Sequence, residues 1–333
     1  IRTAYNTIIY EILDFGISVF DRDLNLIADS PGLALFLGAN DYGIKKAIDH
    51  VGEENMNPGD VLIMNYPYWS GTHTQDVLLF APVFLDEELI GYTTCRAHWL
   101  DLGAKDSGYV LDSTDVHQEG VLFPGTKVYK EGEPDPEIMD LIRFNSRMPD
   151  KVTGDLNAQV AAVRTGEQRL QELYEKYGGA TVEAAIDKIL EHGEETSRSA
   201  VADLPDGTWS ATGYADGVNR DPDDLIKLCA EVTINGEEFS VDFSGSSPEV
   251  DEPLNIPPGM SETIGKLCFK TLTTPDEDSN GGQYAPLSVN APEDTIFNAS
   301  YPAPTFTVWT GIVAIDVVYQ ALAKGMPAVS YTH

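Results

Sequence analysis

Asn65-Tyr-Pro-Tyr-Trp-Ser-Gly-Thr-His73-Thr-Gln-Asp76, followed at once by Val77-Leu-Leu-Phe-Ala-Pro-Val-Phe84, is the stretch around which the chain is organised. Turn formers give way to an imidazole and a carboxylate three residues apart, and these open an apolar strand. The next strand, Leu89-Ile-Gly-Tyr-Thr-Thr-Cys-Arg-Ala-His98, closes on a second imidazole with Trp99 and Asp101 beside it. Two consecutive strands of one sheet place the end of one near the start of the other, so His73, Asp76 and His98 can converge. Two neutral imidazoles and one carboxylate suit a divalent transition metal such as zinc, manganese or iron. His-x-x-Asp alone is a weak pattern, and a turn histidine followed by a half-buried strand histidine is its plain alternative.

Composition sets wider bounds. The chain has 333 residues, 42% of them hydrophobic, enough for two domains or one large unit with a substantial core. No apolar run approaches the ~18 residues of a membrane span, and no basic-then-apolar signal pattern opens the chain. A cytoplasmic protein that does not span or bind membranes is expected. The 54 acidic residues outnumber 21 basic ones, giving a net charge of −33 spread along the whole length. Such a field repels nucleic acid and anionic membranes. It suits either a generally acidic soluble protein or adaptation to high internal salt, where screening relieves self-repulsion. Cys95, Cys229 and Cys268 are widely spaced and include no C-x-x-C pair, so buried reduced thiols are expected. A minor ligand or redox role stays open for Cys95, which lies in the strand that leads to His98.

Outward from the central stretch, Gly16–Phe20 and Leu24–Ala28 around Asp21-Arg-Asp predict a hairpin. Residues 41–50 predict a helix, and Val61–Met64 a strand that feeds the His73 segment. Glu11 and Asp14 sit in apolar surroundings before the hairpin, where a carboxylate must be solvated or compensated. Trp99 to Thr126 reads as a long irregular loop with apolar anchors at Trp99, Tyr109, Val121, Leu122 and Phe123, suited to wall an active site. Within it, His117 reads as a ligand, a general base or a surface imidazole. Helices are predicted over 136–147, 151–177 and 181–202. Short strands follow from 204, with Pro205-Asp-Gly207 and Asn235-Gly236 as hairpin turns. Asp242–Ser247 ends a strand in a turn of small residues that either holds an anion or merely turns. Residues 252–300 read as ordered irregular backbone, and 311–324 as an apolar helix. The fold class is therefore α+β or mixed α/β. Mixed sheets flank a central helical segment, divided into a metal-bearing β-rich region (1–130), the helices (131–203) and a second β-rich region ending in a helix (204–333).

Taken together, several motifs resemble the hydantoinase B / 5-oxoprolinase family, whose relatives include catalytic subunits of acetone and acetophenone carboxylases. They are Arg2-Thr-Ala-Tyr5, Glu11 with Asp14-Phe15, Pro67-Tyr…Gly71-Thr-His73-x-x-Asp76, Arg96-Ala-His98, Gln118-Glu-Gly120, Gly154-Asp-Leu-x-Ala-Gln159 and Asp242–Ser247. The resemblance covers essentially the whole chain. It implies a metal-bearing subunit that opens a lactam or hydantoin after an ATP-using, hydantoinase A-type partner has phosphorylated the substrate oxygen, within a hetero-oligomer. It also implies that His73, Asp76 and His98 are metal ligands, with Asp14 a further one. Asp101, His117 and Glu119 become candidates for a proton-transferring base or for carboxylates that orient the imidazoles. A carboxylase subunit and an inactive scaffold are the alternatives. Three features depart from the family pattern: Tyr66 in place of Asp, Trp99 in place of a second consecutive histidine, and the apolar pair Ile12 and Leu13 before Asp14. Family members are usually longer, so the chain is expected to be a fragment.

Overall fold

The computed structural model describes residues 3–218, 220–221 and 223–326; Arg2 of the opening motif and the terminal Ser330–His333 lie outside them. In chain order the elements are α1 (Thr7–Tyr10), β1 (Phe15–Asp21), β2 (Leu26–Pro31), α2 (Ala39–Val51), β3 (Val61–Met64), α3 (Pro67–Ser70), β4 (Asp76–Leu85) and β5 (Glu88–His98). Then come β6 (Pro124–Lys130), β7 (Glu133–Pro134), α4 (Pro136–Phe144), α5 (Pro149–Tyr177) and α6 (Gly179–Ala202). The last third holds β8 (Gly207–Ala215), β9 (Ile226–Asn235), β10 (Glu238–Asp242), α7 (Pro258–Thr273), β11 (Leu287–Asn290) and α8 (Trp309–Gly325). Among the described residues the fold is α+β with two sheets.

The larger sheet has seven strands in the order β2-β1-β5-β4-β3-β6-β7, and every neighbouring pair is antiparallel. Its centre reads as a continuous apolar run because both faces are covered. Val61, Ile63, Val77, Leu79 and Cys95 pack against Val152, Leu156 and Val163 of α5. Leu62, Met64, Leu78 and Phe80, offset by one residue, pack with Ile44, Ala47 and Ile48 of α2. The two-residue period of a strand makes this division. Each such aliphatic or aromatic side chain contributes about 1.5–3 kcal/mol on full burial.

The smaller sheet, β11-β10-β9-β8, is mixed, with β10 and β11 parallel. Here β9 alternates buried and open positions, as a sheet covered on one face should. Ala314, Val317, Val318 and Ala321 of α8 belong to the core beneath it. That same core includes Phe80 and Tyr92 of the large sheet, so the apolar interior runs unbroken across residue 204. No helix among the described residues is long and apolar enough to cross a membrane.

The first hairpin, the three central helices and the terminal helix form where the sequence predicts them. Three expectations are corrected. Pro205-Asp-Gly207 does not turn a hairpin, because it joins α6 to β8, whose partner strand is β9. Residues 252–300 are not irregular throughout, since they contain α7. Ten of its residues, polar Ser261, Thr263, Lys266 and Lys270 among them, are buried, and this erases the one-sided apolar stripe that marks a surface helix. Cys229 is only partly buried, although Cys95 and Cys268 are buried; all three thiols are free. Asp242–Ser247 is a turn closed on itself: Asp242 accepts from the Ser244 amide at 2.7 Å, and Ser246 Oγ donates to the Phe243 carbonyl at 2.8 Å.

Candidate metal centre

Three adjacent strands of the large sheet bring the site together at one end. In the β4–β5 register Asp76 lies directly opposite His98, and in the β1–β5 register Phe15 lies opposite Ala97. The residue before β1, Asp14, is thereby delivered to His98, whose amide donates to the Asp14 carbonyl at 3.2 Å. The β4–β5 pairing starts from a two-residue loop, Asp86-Glu87, with both residues at positive φ (48° and 69°), and a one-residue shift between Val83 and Phe84 then sets the register that carries to Asp76 and His98. Shifting the pairing by one residue would turn His98 to the opposite face.

His73 reaches the same point from a short connector. The helix α3 ends at Gly71 (φ 81°), whose backbone lies against Gly259 of α7; a Cβ on Gly259 would sit 2.8 Å from Gly71 Cα. Only glycine permits that approach with that backbone conformation. Arg96, fully buried, braces the segment before His73. Its Nη2 donates to the Ser70 carbonyl and its Nη1 to Thr72 Oγ1, each at 2.6 Å, and its Nε donates to Asn40 Oδ1 at 2.9 Å. Thr74 Oγ1 donates to the Glu119 carbonyl at 2.6 Å, and Asn65 Nδ2 donates to the Thr74 carbonyl at 2.7 Å.

The donors converge. One ligand atom from each of His73, Asp76 and His98 lies within 4.8 Å of the other two, and all three residues are buried. His98 Nδ1 is 3.1 Å from Asp76 Oδ1 and 3.8 Å from Asp14 Oδ2, while His73 Nε2 is 3.5 Å from Asp76 Oδ2. Burial pushes the Asp14 carboxyl up to about 7, reinforced by the negative charge of Asp76 and opposed by His98. Burial also raises Asp76, but His73, His98 and Arg96 outweigh it and hold that carboxyl below its ordinary range. Burial drives the His73 imidazole down to about 4. For His98 burial acts in the same direction, but the bond to Asp76 and the charges of Asp76 and Asp14 reverse it and leave the group raised. Two carboxylates and two imidazoles share a nearly dry pocket, and a divalent cation is the partner that satisfies all of them at once. The donor set fits one.

The other candidates have different surroundings. Asp101 is fully buried and engaged with Arg147: Nη1 donates to Oδ1 at 2.8 Å and the amide donates to Oδ2 at 2.5 Å. It fastens residue 101 to the start of α5 and is not brought into the donor cluster. His117 is exposed, with Nε2 2.8 Å from the Tyr301 hydroxyl, and does not join the cluster either. Glu119 is buried and accepts from Ser113 Oγ at 2.8 Å and from the Thr305 and Phe306 amides at 2.8 and 3.1 Å. Desolvation pushes its carboxyl up to about 7 despite those donors. It seats Phe306, whose ring stacks on His73 at 5.1 Å between centroids. Cys95 points away from the site, because residues 95 and 98 of β5 face opposite sides of the sheet and Cys95 packs under α5.

Several contributors carry no signal in the sequence. Phe306 lies 208 residues beyond His98 with no motif around it, so nothing local announces it. The Gly154–Gln159 motif does have a visible purpose. Asp155 accepts from the Tyr5 and Asn6 amides at 2.7 and 3.2 Å, and Asn6 Nδ2 donates to the His98 carbonyl at 2.8 Å. Gln159 Nε2 donates to the Val77 and Cys95 carbonyls at 2.9 and 2.8 Å, and its Oε1 accepts from Trp99 Nε1 at 2.6 Å. The helix thus clamps β4, β5 and the segment that leads to Asp14.

Comparison with known proteins agrees with this architecture. The family model described as Hydantoinase B/oxoprolinase matches residues 1–332. A Pseudomonas sp. (strain NS671) protein described as the B-type component of a D-/L-hydantoinase is 35% identical over 345 residues, covering 98% of this chain and 58% of that protein. The crystal structure of ATP-dependent caprolactamase from Pseudomonas jessenii superposes with a TM-score of 0.89 at 29% identity, over 95% of this chain and 55% of that one. A nucleotide-free acetone carboxylase structure superposes with a TM-score of 0.88 over 99% of this chain and 46% of that one, but at 18% identity shows the fold alone. The chain therefore spans about half the length of these relatives. It belongs to the hydantoinase B/oxoprolinase family.

Proposed function

We propose that the chain carries the metal centre of a subunit that opens cyclic amides, lactams or hydantoins, after ATP-dependent activation by a partner subunit of the hydantoinase A type. The observation that supports this most is the convergence of His73, Asp76 and His98, with Asp14 at 3.8 Å from His98, in a family whose similar members carry names of cyclic-amide hydrolases. In this reading His73, Asp76, His98 and Asp14 hold a zinc, manganese or iron ion. The ion would supply Lewis-acid polarisation of an amide carbonyl and a low-energy site for developing negative charge.

The chain's own residues set the geometry. Asp76 orients both imidazoles, since its two oxygens face His73 and His98 separately. Arg96 offsets the carboxylate charge from beneath without contacting it, and Phe306 keeps water from one face of His73. Glu119, with a carboxyl raised to about 7, can hold a proton near neutral pH, and here it acts by seating the Phe306 segment. His117 is exposed beside Tyr301 and outside the donor cluster, so it is assigned no step at the centre, and Asp101 keeps its loop fastened. The names of the relatives support a hetero-oligomer, and the hydrolase names favour hydrolysis over the carboxylase alternative, for which the fold alone speaks.

Reconstitution with a hydantoinase A-type partner, ATP and a lactam panel tests the proposal. The expected outcome is ring-opened product formed with ATP consumption only when both proteins are present, and without dependence on bicarbonate. Bicarbonate-dependent carbon–carbon bond formation would establish the carboxylase reading instead. Metal binding without turnover of any panel member would leave the inactive scaffold.

A further inference from the structure

Two aromatic rings touch the imidazoles of the centre, and they differ in one respect. Phe306 is fully buried, whereas Tyr109 is 42% exposed. The Tyr109 ring lies nearly parallel to His98 (14°, centroids 6.3 Å apart), 6.1 Å from His73 and edge-on to Phe306 at 5.3 Å. Among the described residues it is the exposed ring that contacts both imidazoles.

The backbone around Tyr109 is held in place. Val110 is fully buried with Ala104 and Phe306, and the Gly108 carbonyl accepts from Gln75 Nε2 at 3.2 Å. Gln75 immediately precedes the ligand Asp76, so the loop and the ligand strand are tied by one side chain. An exposed single aromatic is ordinary on a protein surface. An exposed aromatic fastened on both sides and laid across a buried donor cluster is placed for contact.

We propose that Tyr109 is a substrate-contacting residue that covers the solvent side of the His73–Asp76–His98 centre, its ring packing on the apolar face of a small cyclic amide and its hydroxyl donating a hydrogen bond to the polar edge. The proposal rests on the reading of the centre as a metal site for cyclic amides. It assigns separate roles to ring and hydroxyl. The ring limits access to the ion, and the hydroxyl selects ligands that carry an acceptor oxygen or nitrogen.

The test uses the purified Mn2+-loaded protein, wild type and the variants Tyr109→Ala and Tyr109→Phe. Bound Mn2+ at equilibrium should be the same in all three, because Tyr109 is not a ligand. Stripping by EDTA, followed through the EPR signal, should be about tenfold faster in Y109A and unchanged in Y109F. With the partner subunit, ATP and caprolactam, Y109F should raise KM about tenfold, the loss of one hydrogen bond, while leaving the stripping rate alone. Equal stripping rates in wild type and Y109A overturn the covering role, and an unchanged KM in Y109F overturns the hydroxyl's. Failure of the wild type to hold Mn2+ or any other divalent ion would instead remove the metal reading on which the proposal rests.

Discussion

Asp76 and His98 face each other across two neighbouring antiparallel strands, with Asp76 Oδ1 3.1 Å from His98 Nδ1. The carboxylate begins one strand and the imidazole ends the next, so the register of a single hairpin sets the geometry of the centre. Asp14 joins because β1 pairs on the far side of β5.

That dependence makes the Asp86-Glu87 turn a point of leverage. Both residues hold positive φ, a conformation that Asn-Gly adopts far more readily. Replacing the pair, Asp86→Asn with Glu87→Gly, should stabilise the protein by about 1 kcal/mol. Chemical denaturation at constant metal load checks this, and an unchanged or lowered midpoint would show that the turn is not under strain.

Arg96 is a buried cation that donates to neutral oxygens of Ala39, Asn40, Ser70 and Thr72, and burial lowers its guanidinium to about 10. Lysine cannot reproduce the fork that joins α2 to the Ser70–Thr72 segment. Arg96→Lys should therefore cost about 3 kcal/mol of stability. It should also weaken metal retention by freeing the approach to His73. Urea unfolding and metal content on the same preparation measure both effects.

Glu119 gives a pH signature. Its carboxyl is raised in the folded protein from 4.5 to about 7, so the folded state holds the proton more tightly than the unfolded chain. The stabilising contribution is complete below about pH 4.5 and is lost as pH rises through about 7, amounting to about 3 kcal/mol. Glu119→Gln stays neutral throughout and should lack this component. Unfolding free energies of both proteins between pH 4 and 8 should converge at one end and separate by that amount at the other. Parallel profiles would contradict the assignment.

The net charge of −33 predicts a response to salt. Self-repulsion over so acidic a surface is screened within about 10 Å at 0.1 M salt and within about 3 Å at 1 M. The melting temperature should rise between low and molar KCl. Equal melting temperatures would show that the acidic surface is no adaptation to high salt.

Legibility in the sequence follows the range of the signal. Helices α4 to α6 and the central strands declare themselves because their periodicity is local. His73, Asp76 and His98 are legible as a cluster because consecutive strands pair most often. What cannot be read is whatever depends on distant packing. The β1–β5 pairing that delivers Asp14, the Phe306 wall and the Gly71–Gly259 contact each join segments far apart in the chain. Helix α7 is hidden for another reason: buried on most sides with polar residues among its core positions, it has no contrast between faces for a periodicity argument to find. The long loop after His98 is ordered through buried Trp99 and Phe123, whereas Tyr109, expected as an anchor, stands half in solvent.

Everything proposed for the site depends on His73, Asp76 and His98 holding a metal ion. The decisive measurement is elemental analysis of the protein purified in molar salt, as wild type and as Asp76→Asn. About one transition metal per chain is expected in the wild type, and at least about a tenfold loss of affinity in the variant, because Asp76 faces both imidazoles. A wild type that carries no metal and takes none up from zinc, manganese or iron would contradict the metal centre, leaving the family and the fold without it.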